Sequence, residues 1–228
     1  MTRTKMRTEC YTRLAEATGF FTDANINQWL QDGVEDLAFR VEPLVNPAIA
    51  DVANLVREYT LPNDLISVKF VLQFQTTAWQ MLTETTYDAL FHKNPAWEND
   101  TGTTASEWYW RNDVIGLYPK PTAAISGGLR IIYTYKPGAM STDAATSGLP
   151  EWLDKAIVAY AIYRAFKKDR LDDKAMATWN EYMDLCNMAI QKMQKHRKEH
   201  GARFVPITKS YRQYYRRPHE RPLIIVNS

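Results

Sequence analysis

The chain has 228 residues, of which 45% are apolar and 24% charged, the make-up of a folded globular protein large enough for one substantial domain or two small ones. This excludes a wholly disordered chain, a fibrous repeat and a disulfide-stapled miniprotein, and no run of about eighteen uncharged apolar residues offers a membrane span. The net charge of +2 hides a segregation: residues 1–13 carry four Lys/Arg against Glu9, residues 195–228 carry nine against Glu199 and Glu220, and the stretch 14–194 holds 15 basic against 23 acidic residues.

An acidic body with basic ends speaks of partners rather than of fold. The opening MTRTKMRTECYTRLAEA sets basic residues ahead of no apolar core, so a secretory signal is not expected. Residues 3–17 read as a first helix, stopped near Gly19. A second starts at Thr22 or Asp23, either a plausible N-cap, and carries Ile26, Trp29, Leu30, Val34, Leu37 and Ala38 on one stripe. Pro43 and Pro47 are read as its stop.

From Val52 to Tyr135 the composition turns to short runs rich in Val, Ile, Tyr, Trp and Thr. Strands are expected near 56–60, 65–74, 78–82, 107–110, 114–118 and 129–135, with a short helix at about 84–91. Turn signals separate them, among them Pro62-Asn63-Asp64, Asn112-Asp113 and Gly127-Gly128. Small residues from Gly138 to Gly148 form a connector, and Leu149-Pro150-Glu151 opens the next helix. Its apolar positions are Leu153, Ala156, Ile157, Tyr160 and Tyr163. A longer helix, about 171–199, shows the stripe Leu171, Ala175, Trp179, Tyr182, Cys186, Ala189 and Met193. Neither late helix is stable alone in water, so both should pack on the first two. Cys10 and Cys186 lie far apart on helices and are expected to be reduced, partly buried thiols.

The expected class is therefore α+β. A helical bundle (1–48 and 149–200) carries an inserted small antiparallel β domain with its connector (49–148), and an extended basic C-terminal arm follows (201–228). Residues 203–228 hold three prolines, four aromatics and six Lys/Arg without any periodicity that could build a core.

Chemistry-bearing motifs are sparse. His196-Arg197-Lys198-Glu199-His200 has the HxxEH spacing of a zinc peptidase, but it sits among Lys192, Lys195, Arg197 and Lys198, a field that disfavours a divalent cation. Cations in a last turn complement the helix dipole and account for the cluster. Asp169, Asp172 and Asp173 are explained by the opposite dipole effect at a helix start. Trp97, Trp108 and Trp110 could stack on bases or sugars, yet aromatics in short strands more often build cores. No phosphate-binding glycine loop or nucleophile elbow occurs, so neither a catalytic site, a metal nor a cofactor is expected.

The arm allows two modes. Tyr211, Arg212, Tyr214, Tyr215, Arg216, Arg217 and Arg221 interleave aromatics with cations, as single-stranded nucleic-acid binders do. Tyr and Arg also dominate protein hot spots. Leu223-Ile224-Ile225-Val226 suits strand addition to a partner's sheet edge rather than a solvated tail. Docking on protein is therefore the preferred reading, with Phe204 added as a further anchor.

The order of these features resembles the head-to-tail adaptor (connector or neck) family of tailed bacteriophages. The resemblance rests on the N-terminal helical pair with Trp29, then Tyr59-Thr60-Leu61-Pro62-Asn63-Asp64 leading into Leu65–Leu72. It continues through Trp108, Ile115-Gly116-Leu117-Tyr118-Pro119-Lys120-Pro121 and Leu129-Arg130-Ile131-Ile132-Tyr133. Leu149-Pro150, Tyr160-Ala161 and the stretch Trp179–Met183 complete it, over roughly residues 10–195. It implies a structural virion protein rather than an enzyme, made in the host cytoplasm and placed in the neck between capsid portal and tail. Such proteins form a ring, usually twelve-fold, under the portal protein, offer the other face to a tail or nozzle protein, and let double-stranded DNA pass. Their C-terminal segments reach into the portal, which would make residues 201–228 the docking arm here. An acidic body repeated around a ring would repel phosphates weakly, favouring passage over binding.

Overall fold

The computed structural model describes residues 1–15, 20–75 and 77–199, with side chains followed as far as Lys195. Met1–Gln191 is one compact unit and Lys192–Ser228 a second. The fold is α+β, as the sequence pattern implies.

Helix α1 (Arg3–Leu14) is capped by Thr2, whose side chain accepts from the Lys5 N–H. It ends three residues sooner than expected, because Ala15 turns left-handed (φ 54°) and its N–H closes on the Thr12 and Tyr11 carbonyls. Helix α2 (Asp23–Val41) starts at the first of the two expected caps, the Thr22 side chain accepting from the Asn25 N–H. Its buried stripe includes Ile26, Trp29, Leu30, Val34, Leu37 and Ala38, as the spacing requires, and Glu42 ends it in the left-handed region (φ 48°). A seven-residue α3 (Tyr87–Lys93) precedes the long helices α4 (Asp154–Lys168) and α5 (Asp172–Glu199). Gly33 lets α2 approach α4 closely: a Cβ there would lie 3.1 Å from the Tyr160 ring. Cys10 and Cys186 are both buried and unbridged.

The strands are β1 (Val45–Val52), β2 (Glu58–Thr60), β3 (Leu65–Gln75), β4 (Ala78–Met81), β5 (Thr83–Glu84), β6 (Thr101–Gly102), β7 (Glu107–Arg111), β8 (Val114–Tyr118), β9 (Lys120–Pro121) and β10 (Ile125–Tyr135). Among the described residues they form two four-stranded sheets, in the orders β1-β10-β3-β4 and β2-β8-β7-β5, and a small β6-β9 pair. The long ladders are antiparallel, while β5–β7 and β6–β9 are short parallel contacts. Strand β1 is absent from the sequence reading, where Pro47 marked a stop. It lies at a sheet edge, which tolerates a residue without an N–H.

One buried cluster joins the two large sheets. Val68, Val71, Leu129, Ile131 and Tyr133 come from the first, and Trp108, Ile115 and Leu117 from the second. Gln73 is the polar member of this interior, its Oε1 accepting the Ala105 N–H at 2.7 Å. A satellite cluster holds Leu90, Trp97 and Tyr109 under Tyr87 and Tyr118. Tyr109 fits because residue 116 is glycine; a Cβ there would fall 2.0 Å from the tyrosine ring.

Candidate functional site

Outside the two buried clusters, the described elements are tied together by joints of charge and hydrogen bonds. The first joint is made by the chain's N-terminus. Arg3 donates to the Met140 carbonyl at 2.7 Å and to Asp143 at 2.7 Å, and Arg7 reaches the same carboxylate at 3.3 Å. The Arg3 N–H donates to the Ala145 carbonyl, so α1 clips the connector with backbone as well as charge. The Arg3 guanidinium beside Asp143 holds that carboxyl below its ordinary value. The amino group of Met1 pairs with the buried Asp154, whose other oxygen accepts from Ser147 at 3.1 Å. From α2, Gln31 accepts the Met140 N–H, and Glu35 pairs with Lys136 at 2.9 Å, which lowers the Glu35 carboxyl.

A second joint ties α2 to α5. Asp36 accepts from both the Arg40 Nε and the Tyr182 hydroxyl. Burial, and then that hydrogen bond, push the Tyr182 phenol far up. The Arg40 guanidinium stacks 5.5 Å from the Trp179 ring centre. A third joint is at the α2 end, where Glu42 accepts from Ser67 and pairs with Lys69 of β3. These joints were missed from sequence.

A shallow cleft lies where the β2–β3 and β7–β8 turns meet, lined by Pro62, Asn63, Leu65, Trp110 and Asp113 among others. The Leu61 N–H donates to the Asp113 carbonyl at 2.9 Å and locks the two turns together. Trp110 is 44% exposed at its rim, with its indole N–H donated to the Asn112 carbonyl. Trp97 and Trp108 are buried, so of the three tryptophans only Trp110 faces outward.

Of the other sequence candidates, Asp172 and Asp173 occupy the first turn of α5, and the Asp172 carboxylate is engaged by Lys167 at 2.8 Å. Among the described residues no cluster of His, Cys, Asp or Glu could hold a metal ion. The side chains of His196, Glu199 and His200 lie outside the described residues. So do all the docking residues, Phe204, Tyr211, Arg212, Tyr214, Tyr215, Arg216, Arg217, Arg221, Leu223, Ile224, Ile225 and Val226.

The family model of the SU10 adaptor protein matches residues 1–208. The chain belongs to that family. It is a phage head–tail adaptor family, structural in kind, so the chain is a virion component whose partners are other virion components. No curated protein matches the chain in direct comparison. The matched span takes in every described element and Phe204, while Tyr211 to Val226 lie beyond it. Among the described residues no helix is long and apolar enough to cross a membrane.

Proposed function

We propose that this adaptor forms a ring of twelve copies in the virion neck, docked on the portal protein above and on a tail or nozzle protein below. The observation that carries the reading is the adaptor-family match over residues 1–208. In this reading the helices of 1–48 and 149–200 are the ring body, residues 49–148 together with the start of β1 at Val45 form the β domain, and 201–228 is the arm that inserts into the portal. The cleft at Pro62 and Trp110 supports a tail-facing role for the β domain, since an exposed aromatic on a rigid turn is a good protein anchor. Several acids of the body, including Asp88, Asp113, Asp173 and Asp184, are exposed and have no cationic partner among the described residues. They supply the negative field that would let DNA pass during ejection without sticking. Other acids of the body are paired, as in Asp32–Arg164 and Glu107–Lys93.

The test is assembly with the portal ring of the same virion, comparing the full chain with a 1–200 truncation by sedimentation and electron microscopy. A stoichiometric ring that needs residues 201–228 is the expected result. No association, together with salt-dependent DNA binding by the arm, would instead favour a nucleic-acid-binding role.

A further inference from the structure

Beyond the end where Glu42 engages Ser67 and Lys69, the outer face of the β1-β10-β3-β4 sheet is largely apolar although the sandwich core lies on its other side. Along β10, Leu129 and Ile131 enter the core, so alternation turns Arg130 outward. The register places Ile49, Arg130, Leu72 and Met81 in one row across all four strands. Phe74 and Trp79 pair in the next row, their ring centres 5.5 Å apart, and the Arg130 guanidinium stacks 4.3 Å over Trp79. At the two edges Ile49 is 61% and Met81 66% exposed. Arg130 is the cation at the centre of this face. Its Nε is buried without an acceptor, and it has no carboxylate partner among the described residues. A row with half-buried Leu72, Phe74 and Trp79, open apolar edges at Ile49 and Met81, and a guanidinium without a carboxylate suits a covering partner.

Helix α5 carries the complementary feature elsewhere on the same unit. Met176, Asn180, Asp184 and Met188 recur every four residues on its outward side, with Met176 60% and Met188 56% exposed. Asp184 is exposed between them and has no cation among the described residues. The strip from Met176 to Met188 is about 18 Å long at 1.5 Å per helical residue. Four strands at about 4.8 Å spacing give a face about 14 Å across. One surface is an apolar face with a cation at its centre, the other a strip in which two exposed methionines flank Asn180 and the anion Asp184.

We infer that the outer sheet face of one copy receives the Met176–Met188 strip of α5 from a second copy, with Asp184 answering Arg130. The two surfaces are different parts of the chain, so the contact is head-to-tail and propagates to the next copy, which closes into a ring when the rotation allows. This inference rests on the ring reading and supplies the contact between neighbours.

The experiment uses the full chain with the portal ring of the same virion, read by sedimentation velocity and negative-stain electron microscopy. Asp184→Arg, Met81→Asp and Arg130→Glu should each raise the half-assembly concentration about tenfold or more, and the double variant Arg130→Glu/Asp184→Arg should recover most of it. Asp184→Arg is an exposed helix change, so its thermal melt should match the parent chain and separate assembly from folding. Rings that form equally well with Asp184→Arg and Met81→Asp overturn this contact and leave the ring reading standing. Single variants that fail, with no recovery in the double, overturn the Arg130–Asp184 pairing. A parent chain that forms no ring on the portal overturns the ring reading and this contact together.

Discussion

The helices and the β-sandwich are held by different forces. The sandwich is closed by apolar surface, with Gln73 as its buried polar insertion. The helical part has apolar stripes as well, but its connections to the connector and between α2 and α5 run through charge: Arg3 and Arg7 on Asp143, Glu35 on Lys136, and Arg40 and Tyr182 on Asp36. Apolar burial is indifferent to pH and little affected by salt, whereas exposed ion pairs answer to both. The body can therefore be loosened at its joints while the sandwich stays intact.

The largest effect should come from the sandwich interior. Trp108→Ala, which empties a site in the shared core, should cost about 3–5 kcal/mol in denaturant unfolding. A loss below about 1 kcal/mol would mean that the two sheets do not share that core. Next comes the α2–α5 joint: Asp36→Ala leaves the buried Tyr182 hydroxyl and the Arg40 guanidinium without their acceptor, for an expected loss of about 2 kcal/mol. Trp179 fluorescence should change in this variant, while the sandwich should keep its hydrogen-exchange protection.

Smaller, and different in sign across the pH scale, are the titration effects. Asp143 and Glu35 are held below their ordinary values of 3.8 and 4.5. Their contribution is therefore full above those values and is lost as pH falls through the lowered folded values. The Cys10 thiol runs the other way, raised from 9.0 to about 12, mainly by burial. It stabilises fully below pH 9.0, and that share disappears as pH rises toward about 12. Acid melts should accordingly release α1 from the connector before the sandwich opens, and a thiol reagent at pH 8 should react with Cys10 only at the unfolding rate. Rapid labelling of the native chain would break this picture of α1.

Much of the fold was legible in the sequence because it is written locally. Thr22 and the Ile26-to-Ala38 stripe placed α2, and alternating β-branched and aromatic runs placed β3, β7, β8 and β10. Strand β1 was hidden by Pro47, whose usual meaning is overruled at a sheet edge. Strands β5, β6 and β9 have two residues each, too few for any period. The joints were illegible for another reason: Arg3 and Asp143 are 140 residues apart, and nothing local to either names the other. The apolar outer face had a faint signal, since the alternation of Ile66-Ser67-Val68-Lys69 gives way to the continuous apolar run Phe70-Val71-Leu72.

We propose that this adaptor sits in the neck and reaches into the portal with its C-terminal residues. Cryo-electron microscopy of the intact virion neck tests it most directly. A ring of this chain between portal and tail, with residues 201–228 threaded into the portal, is the predicted result. A ring attached by other residues, or a neck without this chain, would contradict it.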